Sequence, residues 1–380
     1  MAGVPSPDAF GEALRRFPRK RNKKRVVAKR ERRCRSRGEK ENAMKVLSLL
    51  PRSRFTESGM TLPETLSLHF LPPNGSHVLI AAAESAQALL LPPSQPYVDA
   101  FCLERMPSIR FIQTTGAGFD SVDHLTAAEL GIPVSNSPNM NASSVAEYVM
   151  AAIVNLQRGL AWADGEIRRG RYAASRAELL EQGGLELRGC RIGLFGLGNI
   201  GRAVVPLAKA FGCSVAACDA FWPEEFAAEN GVERMDVAEL FAECDVVSLH
   251  CPLNGSTRNL VDYNLLSSMK PHALLINAAR SGVVVEADLA RILAEGRIRG
   301  AALDCFADDG RAENPFLSIP AERVLLTPHL AGVTRAAFGR MLLDRQQRVM
   351  LLFYPRSMRI TYMNYRTHRA GHGRSAVPAR

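Results

Sequence analysis

The 380-residue chain has no C-x-x-C pair, no apolar run of membrane-spanning length, few aromatic residues and, beyond its first 43 residues, no net charge. Each absence removes a class of function. A bilayer-crossing helix needs roughly 20 mostly apolar residues; no stretch approaches that, so no membrane is expected. The eight cysteines, at 34, 102, 190, 213, 218, 244, 251 and 305, are joined by no His/Cys cluster at ligand spacing, so no metal is expected. Cys218 in SVAACD and Cys251 in SLHCP lie in apolar runs. They read as small buried hydrophobes in a reducing compartment, which places the chain in the cytoplasm.

The formal charge of +10 would suggest nucleic acid, but its location decides otherwise. Residues 1–43 carry 15 Lys or Arg against 5 Asp or Glu, and residues 44–380 carry 33 of each. The body is neutral, so nucleic acid is not an expected partner except through the tail. Residues 1–43 have almost no apolar periodicity and read as a disordered basic tail. Four readings of it stay open: a solvated extension, a segment upstream of a translation start at Met44, an arm for RNA or another anionic surface, or a transit peptide. Glu31, Glu39 and Glu41 speak against the last, and no apolar segment follows the charges as a secretory signal requires.

From Met44 onward short apolar runs alternate with helical stretches. Candidate strands are Lys45–Leu50, His77–Ala82, Ile109–Thr114 and Ile132–Asn136, followed by a long helix over Ala142–Arg158 with Val145, Val149, Ile153 and Leu156 on one face. A second block offers Arg191–Phe195, Ser214–Cys218, Val246–His250, Ala273–Asn277, Ala301–Cys305 and Val324–Thr327. The alternation implies α/β architecture: two doubly wound parallel-sheet domains with a cleft between them. The expected layout is a flavodoxin-like substrate domain over 44–143 completed by 336–365, a Rossmann domain over 144–335, and a frayed end over 366–380.

Strand Arg191–Phe195 runs into Gly196-Leu197-Gly198-Asn199-Ile200-Gly201 and then a helix, which is G-x-G-x-x-G in its required strand–turn–helix setting. Gly196 permits the turn, Gly198 lets the backbone approach a pyrophosphate, and Gly201 lets helix and strand pack closely. The helix N-terminus offers free N–H groups and partial positive charge to phosphates. Asp219 ends the next strand, 18 residues after Gly201. A carboxylate there accepts hydrogen bonds from ribose hydroxyls and repels a 2′-phosphate, so the expected cofactor is NAD rather than NADP.

Three further segments end strands where open α/β sheets bind ligands: Asn277-Ala278-Ala279-Arg280-Ser281-Gly282, Ala302-Leu303-Asp304-Cys305-Phe306-Ala307-Asp308-Asp309, and Leu326-Thr327-Pro328-His329-Leu330-Ala331-Gly332. With TTGAGFDSVD, GIPVSNSP, SVAE, GLGNIG, SLHCPL followed by Thr257, and MKPHALLINAARSG, these resemble the D-isomer-specific 2-hydroxyacid dehydrogenases over about residues 105–335, and more loosely over 44–365.

That resemblance implies roles. Arg280 grips a substrate carboxylate and keto oxygen, and His329 is the acid–base. The acid paired with the histidine is Glu in the family and aligns here with Asp309, followed by Gly310 rather than Pro. Asp is one methylene shorter, a reach of about 1.5 Å, and errors near 1 Å can cost roughly 100-fold in rate; Asp308 is the alternative. Asn199, Ile200, Cys251, Pro252, Thr257, Ala278, Ala279, Arg280, Asp304, His329, Ala331 and Gly332 map to cofactor contacts, with Asp304 meeting the nicotinamide carboxamide. The loop Thr115-Gly116-Ala117-Gly118 supplies N–H groups to a carboxylate, through Ala117 and Gly118; small residues after a strand suit such a nest. The position that is Arg in phosphoglycerate dehydrogenases is Thr114.

The roles fit the chemistry of reducing a 2-oxo acid. An alkoxide forms as hydride arrives, a protonated histidine delivers the proton, and an arginine polarises the carbonyl. An adjacent carboxylate favours the protonated imidazole. The expected function is NAD-dependent interconversion of a small 2-hydroxy acid and its 2-oxo acid, with a glyoxylate-, hydroxypyruvate- or pyruvate-like substrate, by a homodimer. The alternatives are an NAD(H)-sensing corepressor-like binding protein and a phosphite or formate dehydrogenase; formate enzymes carry Gln where Asp309 stands. Side-chain specificity would come from loops near 52–60 and 83–98, which match nothing diagnostic.

Overall fold

The computed structural model describes residues 43–57, 66–71, 76–92, 97–307 and 314–341. The frayed end and all of the basic tail except Ala43 lie outside the described residues, as do residues 342–365 of the segment expected to complete the first domain. The described residues divide into two compact units, the first ending at Asn136 and the second beginning at Ser137, with Thr56 and Glu57 at the end of the first helix grouped with the second.

The first unit runs β1 (Met44–Ser48), α1 (Arg52–Glu57), β2 (Leu66–Phe70), α2 (Ser76–Ala83), β3 (Ala88–Leu91), α3 (Ala100–Arg105), β4 (Phe111–Thr114), α4 (His124–Glu129) and β5 (Val134–Ser135). Its sheet has the order β2-β1-β3-β4-β5, all pairs parallel, which is the flavodoxin-like order. One expected strand is a helix. His77–Ala82 lies inside α2, where Leu79 and Ala83, one helical turn apart, are buried. Its three consecutive alanines are the best helix formers. The sheet position belongs to β3, whose four residues are all buried.

The second unit opens with α5 (Ala142–Arg158), α6 (Leu160–Arg168) and α7 (Tyr172–Gln182), and continues β6 (Arg191–Phe195), α8 (Asn199–Ala210), β7 (Ser214–Cys218), α9 (Glu224–Glu229), β8 (Glu233–Arg234), α10 (Val237–Glu243), β9 (Val246–Leu249), α11 (Tyr263–Ser267), β10 (Leu274–Asn277), α12 (Glu286–Ala294), β11 (Gly300–Leu303) and β12 (Val324–Leu326). The parallel sheet is ordered β12-β11-β10-β9-β6-β7-β8, the doubly wound dinucleotide-binding order with one strand added at an edge. The two-residue β8 is exposed and polar, so no apolar run announces it.

Strands β9, β10 and β11 are buried at every residue, as both-sided cover requires. Alternate residues feed opposite layers. Val247, Leu249 and Leu275 pack with Leu240, Phe241, Leu289 and Leu293; Val246, Leu274 and Ile276 pack with Val149 and Ile153 of α5 and Val204 and Ala208 of α8. Helix α5 buries the four expected apolar residues and stops at Gly159, whose φ of 61° is the left-handed conformation that ends helices.

The seven described cysteines are free. Burial pushes the thiols of Cys213 and Cys251 up to about 11 and those of Cys244 and Cys305 up to about 12. Among the described residues, no helix is long and apolar enough to cross a membrane, and no group of three His, Cys, Asp or Glu could hold a metal ion.

Candidate active site

The glycine turn joins β6 to α8. Gly196 has φ 110°, a conformation side chains rarely adopt, and a Cβ there would come within 2.8 Å of the His250 carbonyl carbon. A Cβ on Gly201 would strike the Gly196 carbonyl oxygen. Gly198 differs: nothing lies within 4 Å of where its Cβ would be. Beside that open space the twelve-residue α8 begins at Asn199 and Ile200 with no side-chain cap, so its first N–H groups need an outside partner. Asp219 adjoins the turn. Its Oδ2 accepts from the Leu197 N–H at 2.6 Å and its Oδ1 from the Phe221 N–H at 2.7 Å. Each oxygen keeps a further lone pair. An open face, uncapped N–H groups and a carboxylate one strand away make a cradle that fits a dinucleotide.

The neighbouring loops are internally braced. Thr257 Oγ1 donates to the Pro252 carbonyl at 2.6 Å and accepts from the Asn254 N–H at 2.9 Å, which fixes the stretch after Cys251. His250, just before it, shows some surface as a residue, but both ring nitrogens are buried without a partner.

Arg280 follows β10 in extended conformation, and its Nη1 donates to the Ala279 carbonyl at 2.7 Å. Asn277 shapes this turn: its Oδ1 accepts from the Ala279 N–H at 3.1 Å, and its Nδ2 donates to the Arg280 carbonyl at 3.1 Å. Asn277 belongs to none of the expected site roles. Its signal is a lone polar residue closing the otherwise apolar LLIN strand.

His329 is exposed and has φ 55°, left-handed for a residue with a Cβ. The backbone around it is held by one buried carboxylate. Asp304 Oδ1 accepts from the Thr327 hydroxyl at 2.7 Å and the Leu330 N–H at 2.8 Å, and Oδ2 accepts from the Ala331 N–H at 2.9 Å. Expected to meet a carboxamide, Asp304 thus has both oxygens engaged by residues 327–331. Gly332 packs against Asn141, leaving no room for a Cβ. The acid expected beside His329, Asp309, lies outside the described residues, as does Asp308.

Sheet order sets these groups in a row at the carboxyl ends of the parallel strands. Asp219 follows β7, Gly196–Gly201 follow β6, Cys251 and Pro252 follow β9, Ala278–Arg280 follow β10, Asp304 follows β11 and His329 follows β12. From β7 to β12 the row covers five strand spacings of about 4.8 Å each.

In the first unit, Ala117 and Gly118 lie after β4. The Thr114 hydroxyl donates to the Gly118 carbonyl at 2.7 Å, and Asn136 Nδ2 donates to the Ala117 carbonyl at 2.6 Å. The carbonyls are thereby engaged, while the N–H groups of Gly116, Ala117 and Gly118 have no partner among the described residues.

Residues 150–331 match the family described as D-isomer specific 2-hydroxyacid dehydrogenase, NAD binding domain. An (S)-sulfolactate dehydrogenase of Chromohalobacter salexigens is 36% identical over 69% of this chain and 83% of its own length. The chain belongs to the D-isomer-specific 2-hydroxyacid dehydrogenase family. A D-3-phosphoglycerate dehydrogenase of Methanocaldococcus jannaschii is also 36% identical, over 62% of this chain. The chain spans only about half the length of the phosphoglycerate dehydrogenases it matches, 44% of this one. The solved D-lactate dehydrogenase of Aquifex aeolicus, complexed with NAD and lactic acid, superposes with a TM-score of 0.70 at 26% identity, over 81% of this chain and 95% of that one. The glycine cradle therefore belongs to an NAD-binding domain of this dehydrogenase family.

Proposed function

We propose that the protein is an NAD-dependent oxidoreductase that interconverts a small 2-hydroxy acid and its 2-oxo acid. The observation that carries this reading is the presentation of Arg280, His329 and the glycine cradle at the carboxyl ends of the strands of one parallel sheet. Gly196, Gly198, Gly201 and Asp219 would hold the dinucleotide, with Asn199, Ile200, Cys251, Pro252, Thr257, Ala278, Ala279, Asp304, Ala331 and Gly332 along its path. When bound, the nicotinamide exchanges a hydride with the substrate carbon. Arg280 grips the substrate carboxylate and polarises its keto oxygen, and the His329 ring N–H delivers the proton to that oxygen. Asp309 is the acid assigned to hold the imidazolium.

Ala117 and Gly118 add substrate contacts through N–H groups that suit a carboxylate. Thr114 is buried and donates to the Gly118 carbonyl, so it offers no cation to a phosphorylated substrate. That favours glyoxylate, hydroxypyruvate or pyruvate. Asp219 favours NAD over NADP. The working form is a homodimer in the cytoplasm. Leu160, Ile167, Tyr172 and Leu180 on α6 and α7 are exposed apolar residues that a second copy would cover, and free cysteines suit a reducing compartment.

Loss of absorbance at 340 nm, with NADH and then NADPH against a panel of 2-oxo acids, tests the reading. Oxidation of NADH by at least one of the three acids is expected. Tight NADH binding with no oxidation across a broad panel would replace it with a dinucleotide-sensing role.

A further inference from the structure

Helix α5 sets Asn141, Ser144 and Tyr148 at and beyond its N-terminus, at spacings of three and four residues that fall on one helix edge. Each meets the segment that carries His329. Asn141 packs on Gly332, Ser144 Oγ is hydrogen-bonded to Thr334 Oγ1 at 2.8 Å, and the Tyr148 hydroxyl to Thr327 Oγ1 at 2.8 Å.

The polarity of the last contact is determined. Thr327 has one hydroxyl proton, and it is spent on Asp304 Oδ1 at 2.7 Å. Thr327 Oγ1 must then accept, so Tyr148 donates. The result is a one-directional relay from the Tyr148 hydroxyl through the Thr327 hydroxyl to the Asp304 carboxylate. That same carboxylate takes the N–H groups of Leu330 and Ala331, on the far side of His329. Burial, opposed by the hydrogen bond to Thr327 and reinforced by the nearby Asp304 carboxylate, pushes the Tyr148 phenol up to about 12, so it remains a donor throughout the neutral range.

We propose that Tyr148 is a positioning residue for His329: acting through Thr327 and Asp304, it holds residues 327–331 so that His329 keeps the left-handed backbone that presents the imidazole. Tyr148 does not itself touch the reacting atoms. The inference rests on the assignment of His329 as the acid–base. Left-handed backbone at a residue with a Cβ persists only where its surroundings over-determine it. The relay, the two amides and the Ser144 contact supply that determination from both sides of the histidine.

Tyr148→Phe keeps the ring and removes only the donor. Three readouts test the proposal. Amide hydrogen exchange at Leu330 and Ala331 should quicken severalfold, while amides of β6, β9 and β10 stay unchanged. With a 2-oxo acid that the wild type reduces, kcat should fall about tenfold, the order expected if a 1 Å misplacement costs about 100-fold, and the KM for NADH should hold. In a Thr327→Val background, Tyr148→Phe should add nothing, because the relay is already cut, and Thr327→Ser should restore both readouts. Unchanged exchange at Leu330 and Ala331, a uniform change across all amides, or wild-type kcat with an active wild-type enzyme would each overturn the proposal. If the wild type reduces no 2-oxo acid, the proposed reaction fails by itself, and the exchange measurement still decides whether Tyr148 holds this segment.

Discussion

The N–H of Leu197 donates to Asp219 Oδ2 at 2.6 Å, so the acid at the end of β7 braces the glycine turn as well as facing the cradle. Asp219→Ser removes both the brace and the charge that repels a 2′-phosphate. NADH affinity should fall about tenfold or more, the worth of one hydrogen bond to a charged group, while NADPH affinity holds or rises. Fluorescence titration gives both dissociation constants, and an unchanged value for NADH would refute the assignment of Asp219.

The three glycines of the turn should separate into two kinds. Gly201→Ala forces a methyl into the Gly196 carbonyl, and Gly196→Ala combines a left-handed φ with a 2.8 Å clash against His250. Each should lower stability by about 1–3 kcal/mol, read from the urea midpoint. Gly198→Ala meets nothing within 4 Å, so its midpoint should not move, yet NADH should bind more weakly because the methyl occupies the space left for the phosphates. Equal NADH affinity in Gly198→Ala and wild type would place the pyrophosphate elsewhere.

Arg280→Ala and His329→Ala should each reduce turnover by about 100-fold or more, the usual cost of losing an acid–base group or an electrostatic clamp. Neither should change the unfolding midpoint much, since Arg280 is half-buried and His329 exposed. NADH binding, measured by fluorescence, should persist in both. Near wild-type rates in either variant would rule out the proposed roles.

His250 makes stability sensitive to acid. Burial lowers its folded pKa to about 4, against about 6.5 for an unfolded histidine. The unfolded chain therefore takes up a proton over a range where the folded chain does not. The contribution is complete above about pH 6.5 and is lost progressively as pH falls toward 4, by up to about 3 kcal/mol. His250→Phe removes the titration. Urea midpoints at pH 7.5 and 5.0 should converge in this variant relative to wild type, and an identical drop in both proteins would show that other groups carry the acid sensitivity.

Much of this architecture is legible in the chain alone, for physical reasons that differ by element. The central strands β9 to β11 are buried on both faces and appear as apolar runs, and α5 shows its helical stripe over the full Ala142–Arg158. His77–Ala82 misleads because a short apolar run has the same pattern in a buried strand as in a short helix, and its alanines tip it to helix. Strand β8 escapes because an exposed edge of two polar residues has nothing to bury. At the site, Gly196–Gly201 and Arg280 are visible because glycine spacing and strand-end charge are local signals. The hold of Asp304 on Thr327, Leu330 and Ala331 is not, because it joins residues 23 to 27 positions apart. Tyr148 is further still, 179 positions from Thr327, and reads in sequence as one more residue of a helix.

The buried thiols of the second sheet give the protein a built-in clock. Nucleophilic attack on an alkylating reagent requires thiolate, and with Cys213, Cys244, Cys251 and Cys305 pushed up to about 11 or 12, very little exists at neutral pH while the sheet is closed. Labelling at these four positions then measures how often each part of the sheet opens. Cys251, beside the glycine cradle, times the carboxyl ends of the strands, whereas Cys213 and Cys244, just ahead of β7 and β9, time the amino ends.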